Sequence, residues 1–193
     1  MGKSYVFIID EINRGEISKI LGELFFSIDP GYRGKKGGVL TQYSNMHDDP
    51  REEFYIPENV YIMGTMNDID RSVDTFDFAM RRRFRFIEIK ADARVDMLDA
   101  LGDLKDEATR RMKALNEKIE KTDGLGRNYQ VGAAYFLKLR SMNNDFDKLW
   151  SDYLEPLLRE YVTGMPDEDG LMKDFMSAYD GNALANNDEA AEN

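Results

Sequence analysis

Residues 5–11 read YVFIIDE, five consecutive apolar residues rich in β-branched and aromatic types followed at once by two acids. A short continuous apolar run of this kind is what a strand needs when helices cover both faces of a parallel sheet. Such strands deliver the residues that follow them to the carboxyl edge of the sheet, where α/β proteins bind ligands. Asp10 and Glu11 are therefore expected at that edge. An acid pair after one strand also reads as a solvated turn, and other residues must decide between the two.

Further along, NVYIMGTMND (residues 59–68) repeats the pattern, with a buried strand running into Thr65 and Asn67. A short helix is expected over about 72–83, closing on Arg81, Arg82 and Arg83, and FRFIEI (84–89) reads as a third strand. Between the first two strands, Ile17, Ile20, Leu21, Leu24, Phe25 and Ile28 recur at helical spacing and predict one amphipathic helix from Glu16, stopped by Asp29-Pro30-Gly31. The segment GYRGKKGG (31–38) reads as a flexible turn. VLTQYS and EEFYIP, on either side of NMHDDPR, predict a hairpin over 38–57 with His47 solvated at its tip.

After Lys90 the composition shifts to helix formers, which places a boundary near Ala91. Apolar residues from Val95 to Ile119 keep spacings of three or four, with Gly124 as an end signal. A second helix carries the apolar stripe Phe146 to Val162, with a local kink at Pro156, and its aromatic residues read as core. A last amphipathic stretch covers 171–179. The tail over 180–193 holds four acids and no bases, and its composition predicts disorder.

Composition narrows the chemistry. The chain has 193 residues, no cysteine and a single histidine, so a disulfide framework, a thiolate zinc site, a cysteine nucleophile and a histidine metal cluster are excluded. The net charge of −11 divides into −2 over residues 1–90 and −9 over 91–193. A field of that sign repels phosphate backbones and argues against non-specific nucleic-acid binding. No apolar run approaches the roughly 20 residues that span a bilayer, and the start lacks a signal-peptide layout, so a cytoplasmic protein is expected.

An aspartate for Mg²⁺, a glutamate to orient water, a neutral polar sensor and a cationic finger are the parts that phosphoryl transfer requires. All four residue types occur here in order. The strings VFIIDEINRGEISKILGELFFSID (6–29), EFYIPENVYI (53–62) and GTMNDIDRSVDTFDFAMRRRF (64–84) resemble the AAA+ domain of the McrB family. The resemblance is strong over about 3–90. It continues more weakly through GRNYQVGAAYFLKL (126–139) and LWSDYLEPLLREY (149–161) to about residue 163.

The resemblance implies an α/β fold. Its core is a partial AAA+ (P-loop NTPase) parallel sheet over 1–90, with Walker B, sensor I and finger strands and an inserted hairpin. An all-α lid follows over 91–179. It also implies the GTP-hydrolysing motor of a modification-dependent restriction system, using Mg²⁺ and GTP (or ATP), forming a homo-oligomeric, hexameric ring and driving an McrC-like nuclease subunit. Modified DNA would be met only through an absent N-terminal domain or the partner.

By matching position, Asp10 resembles the Walker B aspartate that holds Mg²⁺ through water, and Glu11 the acid that activates the attacking water. Asn67 resembles the γ-phosphate sensor. Asn67 and Asp70 match the family's N-x-x-D element, a spacing that a sensor strand followed by a helix cap also produces. Arg82 and Arg83 resemble arginine fingers, although cations at a helix C-terminus also complement its dipole, and Arg81 reads as that alone. Asn13 and Arg14 match positions beside the Walker B pair, and loop capping explains Asn13 nearly as well. Arg127 is the nearest cation to the second-sensor position.

No G-x-x-x-x-G-K-[ST] loop occurs. The opening Gly2-Lys3-Ser4 lacks the preceding glycine turn and runs into a strand where the motif needs a helix. The chain is thus expected to be the C-terminal part of a longer protein and inactive on its own. Without the Walker A strand, strand 84–89 should be displaced or the gap closed by another chain. A MoxR-like ATP-dependent remodeller, a non-catalytic interaction module and a Mg²⁺ nuclease built on the acids stand as alternatives.

Overall fold

The computed structural model describes residues 2–67, 69 and 78–181. The chain divides into two compact units, Met1–Ile87 and Glu88–Asn193. Asp70, residues 72–77 of the expected arginine helix and residues 182–193 of the expected tail lie outside the described residues.

In the first unit, β1 (Tyr5–Ile9) pairs in parallel with β2 (Val60–Gly64), in a register that sets Tyr5 against Val60 and Ile9 against Gly64. A small core of Ile12, Ile17, Ile28 and Met80 forms beneath the carboxyl end of this pair, with Ile9, Leu21, Phe25, Ile62 and Phe84 packed against it. The direction of pairing follows the sequence pattern, but burial of β1 on both faces does not. Tyr5, Val6, Phe7 and Ile8 are all more than half exposed. A run of apolar residues specifies what a strand can bury; neighbouring elements decide how much it does bury. Here only Ile9 and Ile62 reach the core.

Three further expectations need correction. The single helix over 16–28 breaks into α1 (Ile17–Leu21) and a 3₁₀ segment, Gly22–Ile28, because Gly22 adopts φ 48°, ψ −122°. Only glycine takes that conformation without steric cost. The finger strand over 84–89 does not form: residues 85–90 carry no regular structure, and Phe86, Ile87 and Ile89 are exposed. A strand exists only where a neighbour pairs its backbone groups, and the described sheet has two strands. The hairpin over 38–57 reduces to one antiparallel bridge, Val39 to Phe54, with both hydrogen bonds at 2.9 Å. Turns and a 3₁₀ segment at Ser44–Met46 occupy the polar stretch between. His47 lies there, 3.7 Å from Glu52. The described part of the arginine helix is α2 (Phe78–Arg81).

Arg33 anchors the basic turn, since its guanidinium donates to the Ile28 carbonyl at 2.9 Å and to the Val60 carbonyl. That contact ties the turn to the start of β2.

The second unit is helical. A 3₁₀ stretch (Val95–Leu104), interrupted at Gly102 (φ 58°), leads into α3 (Lys105–Lys121), so the one helix expected over 95–119 is two segments. Then come α4 (Ala133–Phe136), α5 (Phe146–Leu149), α6 (Glu155–Val162) and α7 (Glu168–Asp180). Ala108, Met112, Leu115 and Ile119 form the buried stripe of α3, and Phe175 and Tyr179 of α7 are fully buried in the same core.

A π-helical turn, Trp150–Leu154, joins α5 to α6 immediately before Pro156. Proline has no N–H to give and its ring crowds the carbonyl four residues back, that of Asp152; widening the turn relieves both. The expected disturbance at Pro156 therefore takes the form of a π turn, and Leu149, Trp150, Leu154, Leu158 and Val162 stay in the core. Asn116 is the buried polar side chain that fixes the α3–α4 connection. It donates to the Val131 carbonyl at 2.9 Å and accepts from the Val131 amide at 2.7 Å.

Candidate functional site

The parallel register of β1 and β2 brings their carboxyl ends side by side. The ladder continues past both strands: the Thr65 amide donates to the Ile9 carbonyl at 3.0 Å, and the Ile12 amide to the Thr65 carbonyl at 2.8 Å. Asp10 and Glu11 thus lie against Thr65. The Thr65 hydroxyl donates to Asp10 Oδ1 and accepts from the Glu11 amide at 3.1 Å. Asn13 Nδ2 donates to the Asn67 carbonyl at 3.1 Å, while Asn67 Oδ1 accepts from the Ile69 amide at 3.2 Å. Asp10, Glu11, Asn13 and Asn67 are therefore gathered at one sheet edge. Asp70 lies outside the described residues.

Two backbone features shape this edge. Glu11 sits in the left-handed region (φ 52°, ψ 49°) and opens the 3₁₀ turn Ile12–Arg14. That conformation is uncommon for a residue with a Cβ and persists where surrounding contacts over-determine it. Gly64 leaves room for Ile12, which is 3% exposed; a Cβ at position 64 would lie 2.8 Å from Ile12 Cδ1. The buried Ile12 pins the turn whose outer side carries the acids. The Glu11 carboxylate meets Arg14 Nε at 2.6 Å in an exposed ion pair.

The oxygen donors here are carboxylates, which suit Mg²⁺. That cation keeps several waters and takes one or two protein carboxylates together with substrate phosphates. Among the described residues no group of three or more His, Cys, Asp or Glu side chains gathers to cage a metal. The chemistry of the Asp10 carboxylate fits a metal held through water.

The arginines at the end of α2 divide in two. Arg83 folds back: Nη1 donates to the Ala79 carbonyl at 2.6 Å, and the guanidinium lies 4.3 Å from the centre of the Phe25 ring. Its Nε is buried without a hydrogen-bond partner among the described residues. Arg81 lies 5.6 Å from the Phe86 ring centre. Arg82 is exposed. Neither Arg82 nor Arg83 bonds to the acid-bearing edge among the described residues. In the helical unit, Arg127 faces Glu120 at 3.6 Å.

Sequence reasoning gave Thr65 no task beyond ending its strand. The signal was present in the register, since the residue after β2 in a parallel pair lies beside the residues after β1.

Comparison with known proteins brings both units under one description. Residues 1–84 match the family described as AAA domain (dynein-related subfamily), and residues 107–169 match the McrB alpha-helical lid domain. The chain is 36% identical over 177 residues to the type IV methyl-directed restriction enzyme EcoKMcrB subunit of Escherichia coli K12, a match covering 85% of this chain and 38% of that protein. It is also similar to the type II restriction enzyme BsuMI component YdiS of Bacillus subtilis, with 29% identity over 89 residues, 43% of this chain and 26% of the other. The chain thus spans well under half the length of each relative.

Proposed function

The chain carries an McrB-family AAA+ domain, and from that premise we propose that it serves a restriction system as a nucleotide-driven motor whose hydrolytic pair is Asp10 and Glu11. The observation that carries the reading is the Thr65 hydroxyl joining both acids at the paired strand ends. Asn67, held to the same edge through Asn13, is the sensor. Mg²⁺, when bound with the nucleotide, supplies charge neutralisation at the β and γ phosphates.

The residues of this chain do the rest. Asp10, with Oδ1 held by the Thr65 hydroxyl, would hold Mg²⁺ through water by its remaining carboxylate oxygen. Glu11, released from Arg14, accepts a proton from the water that attacks the γ-phosphorus. The bond from that phosphorus to the bridging oxygen breaks, giving a nucleoside diphosphate and inorganic phosphate. Asn67 donates to the γ-phosphate or to the attacking water. The cationic stabiliser comes from a neighbouring subunit. Arg82 is the better placed of the two candidates, since it is exposed while Arg83 is committed to Ala79 and Phe25.

Such a finger requires a ring, and we take it as hexameric. GTP is favoured over ATP by resemblance to a GTP-using family. An McrC-like nuclease subunit cuts the DNA, and recognition of the modified base lies outside these residues. By itself the 193-residue chain, which contains no G-x-x-x-x-G-K-[ST] loop, binds nucleotide too weakly to turn it over. Among the described residues no helix is long and apolar enough to cross a membrane.

The test is steady-state hydrolysis of GTP and ATP by the natural full-length protein, with and without its partner subunit. GTP-selective turnover supports the reading in full. ATP-selective turnover converts it to a remodelling ATPase, and turnover of neither leaves an interaction module.

A further inference from the structure

We propose that Thr65 is a positioning residue for hydrolysis, its hydroxyl fixing the directions of both Asp10 and Glu11. The proposal builds on the reading of this edge as a site of nucleoside triphosphate hydrolysis.

The backbone of Thr65 has no freedom of its own, because its amide and carbonyl are both held by the continued ladder, to Ile9 and from Ile12. That leaves the hydroxyl at a fixed place. A threonine hydroxyl offers one donor and two acceptor positions. The donor goes to Asp10 Oδ1, which orients the carboxylate and leaves Oδ2 for another ligand. An acceptor position receives the Glu11 amide at 3.1 Å. Glu11 is the residue in the left-handed conformation, and its two backbone groups are tied on either side, the amide to Thr65 and the carbonyl to the Arg14 amide at 2.8 Å. Removing the hydroxyl frees the amide end. Glu11 can then turn toward extended backbone, carrying its carboxylate away, and Asp10 loses its fixed rotamer in the same step. A single hydroxyl therefore governs the water-activating acid and the metal-orienting acid together. Thr65 itself is exposed, so changing it leaves the core of Ile12, Ile17, Ile28 and Met80 intact.

The experiment compares Thr65→Val, which keeps the shape and removes the hydroxyl, with Thr65→Ser, which keeps the hydroxyl, in the natural full-length protein. Three quantities are read: kcat and KM with GTP and ATP; the Mg²⁺ concentration that half-saturates binding of a non-hydrolysable nucleotide analogue; and amide exchange in a peptide covering residues 10–12. Misplacement of reacting groups by about 1 Å costs on the order of 100-fold in rate. Thr65→Val should lower kcat at least ~10-fold with KM within ~3-fold, a split expected when positioning, and not uniform binding, is lost. It should also raise the Mg²⁺ midpoint and speed exchange at Glu11. Thr65→Ser should stay near wild type in all three. Wild-type kcat and Mg²⁺ midpoint in Thr65→Val would overturn this proposal and leave the hydrolysis reading standing. Equal losses in both variants would overturn it as well, because Thr65→Ser keeps the hydroxyl and the loss would then not depend on it. Absence of turnover in the wild type would overturn the hydrolysis reading and this proposal with it.

Discussion

Arg111 offers the sharpest test of how the helical unit is held together. Its side chain, 16% exposed, pairs with Glu107 at 2.7 Å and with Asp180 at 2.8 Å. The guanidinium also lies 4.7 Å from the Phe146 ring centre and 4.8 Å from that of Tyr179. The arginine thus clamps α3, α5 and α7 at one point. In Arg111→Met the stem is replaced by a side chain of similar reach. The two ring contacts are worth about 0.5–1 kcal/mol each, or more where water is excluded. The two half-exposed ion pairs add a few tenths of a kcal/mol each after solvent screening. A net loss of about 1–2 kcal/mol follows, because relief of the desolvation borne by the part-buried cation offsets part of the sum.

Arg110→Met is the control. Arg110 makes a bidentate pair with the same Glu107 but is 42% exposed, and no ring contact of its guanidinium is recorded among the described residues. Its loss should cost roughly 0.5 kcal/mol. Trp150 is the only tryptophan and sits 5.2 Å from the Tyr179 ring, so its fluorescence reports unfolding of this unit alone. For a unit of about 100 residues, 1 kcal/mol moves Tm by roughly 4–8 °C, and the two variants should separate clearly. Equal shifts for both would refute the clamp and reduce Arg111 to one more surface ion pair.

Other expectations follow from the same geometry. Asn116→Leu leaves the buried amide and carbonyl of Val131 without partners and should cost about 2–4 kcal/mol by urea denaturation followed at Trp150; a cost below ~1 kcal/mol would contradict this. Gly64→Ala forces Ile12 aside and should destabilise the first unit by about 1–3 kcal/mol in circular-dichroism melts, with Ile12→Val restoring part of the loss. Burial holds the Tyr161 phenol up to about 12 against an ordinary 10.0. Its contribution to stability is thus complete below pH 10 and is lost as pH rises through about 12, which an alkaline titration of Trp150 fluorescence should record. At the acid end, hydrogen bonds from Arg110 and then Arg111 hold Glu107 down to about 2 from 4.5. That contribution is present above pH 4.5 and fades as pH falls through about 2; Glu107→Gln should flatten this limb of the profile.

The parts of this molecule that sequence revealed are those in which local pattern and tertiary demand agree. The stripe from Phe146 to Val162 is one: its spacing places Leu149, Leu154 and Leu158 in a core whatever the details of the turn at Pro156. The strand-to-acid transition at Ile9 and Asp10 is another, because a parallel pair always sets its carboxyl ends together. The misreadings arise where a single residue overrides a pattern or where a pattern needs a neighbour. Gly22 and Gly102 each break a helix whose apolar spacing continues across them. FRFIEI has the composition of a strand and no described partner to pair with. The contacts of Thr65 with Asp10 and Glu11 come from register, a property of two segments 55 residues apart, and no local pattern in either segment contains it.

We propose that the edge carrying Asp10 and Glu11 performs hydrolysis. The most direct test is the Glu11→Gln variant of the natural full-length protein, with equilibrium binding of a non-hydrolysable GTP analogue and single-turnover hydrolysis of GTP measured side by side. Analogue binding should stay within ~3-fold of wild type and hydrolysis should fall at least ~100-fold, as expected on removing a general base. Hydrolysis at the wild-type rate in Glu11→Gln would contradict it.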